Sequence, residues 1–399
     1  MNQWPTSPLR DLTAKIGSGA TPRGGATVYT ESGVSLIRSQ NVLDNSMKTA
    51  EIAHITDEAA HALRGVTVQE NDVLINITGD SIARTSIVDP LVLPARVNQH
   101  VAIIRANSLV SASYLQRFLV NPEQKARLIA GSDGGTRNAL TKSALEEIQV
   151  AVPPMQVQLG IAEVLGALDD KILANTTLAS NLDNLASAQF EVARNAAGEK
   201  SKLSDLVATQ YGLTTPAHSG PGPKLLRVTD INKKPWVEWG TTPSCSVTEP
   251  ELEKYRVRPG DILVARMADP GKSAYIDENH PDAVFASYLV RLIAHDPTMS
   301  PYIYYFLRSG DYKRYAEGAS QGTVQKNMNA KVIVGAEIEV PNSAVLSEFS
   351  DRTRSLRCQV GTLLAENATL AELRDTLLPE LMSGRLRVKA AEKQIEEVL

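Results

Sequence analysis

The sequence predicts an α+β fold in which one globular domain occurs twice. The copies are separated by two long helices that pair as an antiparallel coiled coil. Three observations carry this expectation. Five segments recur in order at offsets of 188–194 residues. Each copy mixes short β-rich runs with short amphipathic helical stretches. Each copy ends at a proline, after which a long heptad-spaced stretch begins.

The recurrence is legible by eye. LRDLTAKIGSGATP (Leu9–Pro22) returns as LSDLVATQYGLTTP (Leu203–Pro216), and SLIRSQNV (Ser35–Val42) as KLLRVTDI (Lys224–Ile231). VQENDVLINITGD (Val68–Asp80) returns as VRPGDILVARMAD (Val257–Asp269). SYLQRFL (Ser113–Leu119) pairs with PYIYYFL (Pro301–Leu307), and IQVAVP (Ile148–Pro153) with AEIEVP (Ala336–Pro341). One such match is noise; five in order imply a duplicated module and an internal pseudo-two-fold repeat.

Within each copy, VLINIT and DILVAR read as strands bounded by Gly, Pro and Asp turns. ASYLQRFLV and SPYIYYFLRS read as short helices whose aromatics, Tyr114, Phe118, Tyr302 and Phe306, recur at i, i+4 as core positions. A polar loop follows, AGSDGGTRNAL in the first copy and EGASQGTVQKNM in the second, and then one more strand. Trp236 and Trp239 in PWVEWG read as a hairpin edge without functional assignment.

Pro153 and Pro154 suit a helix start, where a missing N–H does no harm. Ile161, Leu165, Leu168, Ile172, Asn175, Ala179 and Leu182 then follow 4-3-4 spacing. Leu356, Val360, Leu363, Asn367, Leu370, Leu377 and Leu381 do likewise, interrupted by Arg374. Helices of about 35–40 residues span roughly 50–60 Å, too long to bury their stripe on one small domain. They are expected to pair, with the globular halves at opposite ends. Asn175 and Asn367 either fix the register of that seam or lie at its watered edge. The expected boundaries are 1–153, 154–198, 199–341 and 342–390, with a tail over 391–399.

Composition excludes several classes. The chain has 399 residues, 43% hydrophobic and 22% charged, as ordinary globular proteins do. It has no apolar run near the roughly 18–20 residues of a membrane span, and its opening residues lack the apolar stretch of a signal peptide. Cys245 and Cys358 are the only cysteines and stand far apart, so a cytoplasmic protein is expected. The net charge is −4. The deficit falls in the helical segments, −3 within 151–200 and −1 within 342–399, so both globular copies are neutral and free to present a basic face.

Catalytic and metal-binding equipment is not evident. No Asn/Asp-Pro-Pro-aromatic motif of amino-methyltransferases occurs. PGKSA (Pro270–Ala274) lacks the earlier glycine of a phosphate-binding loop, since position 266 is arginine. His54 and His61 lack a third ligand and read as surface residues. Asp169 and Asp170 read as solvated charge or a docking contact.

The loops instead carry the side chains that read duplex DNA: Arg or Lys for guanine, Asn or Gln for adenine, and cations and hydroxyls for phosphate. Candidates are Arg38, Ser39, Gln40 and Asn41, and at the repeat Arg227, Thr229 and Asp230. Asn76, Thr78, Ser81 and Arg84 form a second set, answered by Arg266 and Lys272. The late loops offer Thr136, Arg137 and Asn138, then Gln321, Thr323, Gln325 and Lys326. Arg38 and Arg227 coincide and suit phosphate; Gln40, Asn41, Arg137 and Asn138 differ from their counterparts and suit base reading. The plainer alternative is that these residues only cap and solvate turns.

PPMQVQLGIAEVLGALDDKILAN (Pro153–Asn175), LRDTLLPELMSGRLRV (Leu373–Val388), GSGATP (Gly17–Pro22) and LIRSQNV (Leu36–Val42) together resemble the specificity subunits of type I restriction–modification systems. The chain departs from the family's PPxxEQ pattern, with Val157 in place of the acidic residue, and VPNSAVLSEF is more divergent still. The resemblance implies a non-catalytic subunit with two target recognition domains, each reading half of a bipartite double-stranded DNA sequence. It implies helices that set the gap and dock two copies of an adenine methyltransferase subunit, with S-adenosylmethionine on that partner and no cofactor or metal in this chain. Restriction or translocase subunits can join such a core. The competing reading is a coiled-coil adaptor whose two domains bind proteins.

Overall fold

The computed structural model describes residues 4–131, 139–196, 198–319 and 327–397. The strands of the first half are β1 (Thr6–Pro8), β2 (Thr13–Ser18), β3 (Tyr29–Thr30), β4 (Val34–Ile37), β5 (Ala53–Ile55), β6 (Val73–Asn76), β7 (Thr85–Ile87), β8 (Ala95–Val97), β9 (Val101–Ala106) and β10 (Gln149–Ala151). Its helices are α1 (Asp57–Ala62), α2 (Ala112–Val120), α3 (Pro122–Ala130) and α4 (Lys142–Glu146), followed by the long α5 (Met155–Arg194). The second half has β11 (Gly198–Lys202), β12 (Val207–Tyr211), β13 (Ala217–His218), β14 (Lys224–Leu226), β15 (Ser244–Cys245), β16 (Ile262–Ala265), β17 (Ser273–Tyr275), β18 (Ala283–Phe285), β19 (Leu289–Ala294) and β20 (Glu337–Pro341). Its helices are α6 (Leu203–Leu206), α7 (Val228–Ile231), α8 (Glu249–Tyr255), α9 (Ser300–Arg308), α10 (Gly310–Ala319) and α11 (Ala330–Ile333). The long α12 (Ser343–Ser383) and the terminal α13 (Val388–Glu396) follow.

Sheet order is the same in both halves. The first has β2-β9-β6-β7, β3-β5-β4-β8 and β1-β10; the second has β12-β19-β16-β17, β13-β15-β14-β18 and β11-β20. Even the register repeats. Val73 faces Ile104 and Ile75 faces Ala102, where Ile262 faces Leu292 and Val264 faces Val290. The duplication read from five segments thus extends to every strand.

The apolar runs VLIN and ILVA explain the layering. A strand covered on both faces reads as continuously hydrophobic, and successive side chains point to opposite faces. Val73 and Ile75 enter one core with Tyr114 and Leu115 of α2. Leu74 enters the other, with Val97 and Val101, beneath the second sheet. In the second half Ile262 and Val264 pack with Tyr302 and Phe306, and Leu263 with Leu226 and Phe285. Tyr114, Tyr302 and Phe306 are buried and Phe118 partly so, as core aromatics.

The chain divides into two compact units, Met1–Ile172 with Thr369–Leu399, and Leu173–Ala368. Each contains one repeat and one end of both long helices. Both long helices, expected over 154–198 and 342–390, are thus shared between the two units. In the first unit Ile161, Leu165 and Leu168 share one core with Leu370, Leu377 and Leu381, and that core continues into the first repeat. In the second unit Ala179 and Val360 are buried with Leu182 and Leu363 beside them, while Leu356 packs on the second repeat's core. Within each unit the start of one helix thus meets the end of the other, as antiparallel pairing requires.

Several local features depart from the sequence reading. Trp236 is not on a hairpin edge: it is buried between α5 and α12, against Ala179 and Val360. Asn175 is buried rather than at a watered edge, and Asn367 donates to Thr176 Oγ1 at 3.1 Å. Residues expected as a tail contribute to α13, whose Ala391 and Ile395 are buried in the first unit's core. An apolar i, i+4 pair on a short helix is a weak sequence signal. Gly384 ends α12 in the left-handed region (φ 76°), and a Cβ there would lie 2.7 Å from the Trp4 ring.

At the start of α5, Gln158 is nearly fully buried. It accepts the Ser111 N–H (2.8 Å) and donates to the carbonyls of Leu109 (3.1 Å) and Pro153 (2.9 Å), fixing the helix to the segment that precedes α2. No helix among the described residues is long and apolar enough to cross a membrane.

Candidate nucleic-acid interface

In each repeat four strand ends converge on one rim. In the first, the Gly19 N–H donates to Val101 O (2.8 Å) and the Ala20 N–H to Val97 O (3.1 Å). The Asn98 N–H donates to Ile37 O (3.0 Å) and the Ile77 N–H to His100 O (3.0 Å). These bonds gather residues 19–22, 38–41, 76–84 and 98–100. The second repeat makes the same set: Gly212 to Leu289, Leu213 to Phe285, Ala286 to Leu226 and Arg266 to Tyr288. Glycine is required at the closest approach. A Cβ on Gly19 would lie 2.1 Å from Val97 O, and one on Gly212 2.3 Å from Ala286 O.

The turn after β4 is held by the side chain three residues on. The Arg38 N–H donates to Asn41 Oδ1 (3.0 Å), and the Arg227 N–H to Asp230 Oδ2 (2.9 Å). Asn41 is 1% exposed and also donates to Lys48 O at 3.0 Å. It is therefore a turn-holding residue, not the base reader expected from its lack of an identical counterpart. The sequence signal that separates these roles is the backbone cap, invisible without the fold. Asn76 is likewise fully buried and donates to Ser39 O (2.9 Å) and Ser81 Oγ (3.1 Å), joining the two loops. Thr78 Oγ1 lies 2.6 Å from His100 Nδ1. These three side chains build the rim from within.

The two arginines expected to act alike differ electrically. Arg227 makes a two-pronged ion pair with Asp230, at 2.9 and 3.0 Å. That hydrogen bonding holds its guanidinium above the ordinary value against the opposing effect of burial. Arg38 has the neutral Asn41 at the position of that acid, bonded to its backbone N–H, and its guanidinium has no partner among the described residues. Gln40 and Thr229 are exposed at the tips of the two turns.

The loop after β6 closes on itself in both repeats. The Asn76 N–H donates to Arg84 O and the Ala83 N–H to Asn76 O; the Ala265 N–H donates to Lys272 O and the Gly271 N–H to Ala265 O. Arg84 and Lys272 thus occupy one backbone position, a cation in each copy. Arg266 lies over the Tyr211 ring, 5.1 Å from its centroid. Tyr211 and Tyr288 are 43% and 57% exposed on this rim. Sequence reasoning missed both, because their first-repeat equivalents are Ser18 and His100. An open groove of about 1200 Å³ adjoins the second rim, lined in part by Lys233, Lys272 and Lys313. Thr136, Arg137, Asn138, Gln321, Thr323, Gln325 and Lys326 lie outside the described residues.

The arrangement gathers unpaired donors and exposed aromatics on rigid strand ends. That is the equipment for hydrogen bonds to phosphates and base edges. Among the described residues no cluster of His, Cys, Asp or Glu could hold a metal ion. Asp169 serves structure: it pairs with Arg117 of α2 and Arg374 of α12.

Residues 1–183 match the family described as the type I restriction modification DNA specificity domain. The chain is 21% identical to the HindI specificity subunit of Haemophilus influenzae, over 97% of this chain and all of that one. It is 18% identical to the EcoKI specificity subunit of Escherichia coli, over 96% of this chain and 89% of that one. A crystal structure of the type I restriction–modification S subunit from M. genitalium shares the fold, with a TM-score of 0.55, 14% identity and coverage of 95% and 96%.

Proposed function

The chain belongs to the specificity subunits of type I restriction–modification systems, non-catalytic DNA-recognition subunits, and we propose that each of its two rims reads one half of a bipartite duplex sequence. The observation that carries this is the pair of rims itself: one hydrogen-bonded frame, present twice, bearing different exposed side chains. An asymmetric target follows from that difference. Arg38, Gln40 and Arg84 serve one half; Thr229, Arg266 and Lys272 serve the other. Lys233 and Lys313 suit contact with the phosphate backbone beside the second rim.

Two copies of an adenine methyltransferase subunit, carrying S-adenosylmethionine, dock on the long helices, with restriction or translocase subunits joining in the cytoplasm. An apolar stripe supports docking. Leu178, Leu185 and Val192 recur every seven residues on α5 and are 47%, 47% and 75% exposed. The test is co-expression with a candidate methyltransferase subunit, followed by mapping of methylated adenines. Two short half-sites at a fixed gap are expected. Scattered methylation without a motif, or no co-purification, would reject the reading.

A further inference from the structure

We propose that Arg266 reads a guanine through its two terminal nitrogens, and so fixes one G·C pair in one half of the target. This rests on the DNA-recognition reading above and adds the base chemistry at one position.

The duplication isolates the residue. Ile77 and Arg266 hold the same backbone position. The Ile77 N–H donates to His100 O (3.0 Å) and its carbonyl accepts from Leu140 N–H (2.9 Å). The Arg266 N–H donates to Tyr288 O (3.0 Å) and its carbonyl accepts from Met328 N–H (2.8 Å). In the first repeat the side chain is apolar, 8% exposed and part of the core. The fold therefore does not need an arginine there.

The arginine is nonetheless held in place. Its guanidinium lies over Tyr211, and the Tyr211 hydroxyl accepts the Ala330 N–H at 2.9 Å, which pins the ring from its far end. Arg266 Nε is covered by protein and makes no hydrogen bond among the described residues. Only the Nη1–Nη2 edge is left to meet a ligand. Guanine offers two adjacent acceptors, O6 and N7, in the major groove, which a planar guanidinium matches end-on; adenine places a donor at one of them. A stacked, pre-oriented fork loses less freedom on binding than a free one.

Structural arginines in this unit look different. Arg291 pairs with Asp261, Arg308 with Asp183 and Arg357 with Asp277. Arg266 has no carboxylate partner among the described residues. A half-covered cation without an acid is costly to keep, unless its partner arrives from outside.

The experiment uses the complex with its methyltransferase subunit and a pool of random duplexes. The wild type is expected to enrich a two-part consensus with guanine at one position of one half. Arg266→Ala should flatten that position alone, lowering discrimination roughly 5- to 150-fold, and Arg266→Lys, with one ammonium in place of the fork, should keep a weakened preference for guanine there. Arg266→Lys should keep the salt dependence, since its charge remains. Tyr211→Ala should weaken the same position only. The proposal is overturned if Arg266→Ala selects the wild-type consensus. It is also overturned if Arg266→Ala weakens all duplexes alike and lowers the salt slope by about one unit, the mark of a phosphate contact. A wild-type consensus without such a guanine overturns it while leaving DNA recognition standing. No consensus at all would instead remove the recognition reading itself.

Discussion

Asp169 Oδ1 accepts a hydrogen bond from Arg374 Nη1 at 2.7 Å, while Arg117 pairs with its other carboxylate oxygen. Arg374, which interrupts the heptad, thus closes a three-residue clasp between α5, α12 and α2. All three side chains are mostly buried, at 13–22% exposure. Asp169→Ala would leave Arg117 without its acid and Arg374 with only the more exposed Asp375. The expected loss lies between the ~1 kcal/mol of an exposed pair and the ~3–5 kcal/mol of a fully buried one. Thermal unfolding measures it; an unchanged melting temperature would show the clasp to be incidental.

Leu168 is 1% exposed in the core shared by the helices and the first repeat. Leu168→Asp removes its packing and buries a charge. A loss of at least ~3 kcal/mol is expected, together with failure to co-purify with a methyltransferase subunit. A variant that kept both its melting temperature and its partner would place the seam elsewhere.

Gln40 and Asn41 are neighbours with opposite placements, one exposed and one buried. Gln40→Ala should leave stability unchanged and relax one half of the recognised sequence. Asn41→Ala should lower stability by about 1–3 kcal/mol, since the Arg38 N–H and Lys48 carbonyl lose their partner. Arg38→Ala should weaken every sequence alike and lower the salt slope by about one unit. Competition with each half-site scrambled in turn, run beside thermal unfolding, separates the three. If Gln40→Ala and Asn41→Ala behaved alike, exposure would not distinguish readers from turn holders.

The strand runs and the long helices were legible because each rests on local periodicity, and the duplication because five segments recur in order at offsets of 188–194 residues. VLIN and ILVA announce strands covered on both faces, and Ile161, Leu165 and Leu168 announce a helical seam. The division of labour among polar loop residues was not legible. Whether Asn41 faces DNA or its own turn depends on a bond to Lys48, and Asn76 on a bond to residues 37 positions earlier. Arg38 and Arg227 look alike in sequence and differ because one faces an amide and the other a carboxylate. Trp236 was misread because its partners, Ala179 and Val360, come from two distant helices.

In the proposed function, two copies of one domain each read half a target and the helices set the gap. Inserting four helical residues after Asn175 adds about 5–6 Å of axis, close to one and a half base pairs at roughly 3.4 Å each. The most direct measurement is a map of methylated adenines in cells carrying the methyltransferase subunit with this variant or the natural chain. Both half-sites are expected to stay unchanged and the gap between them to lengthen by about one or two base pairs. Altered half-sites at a constant gap would contradict it.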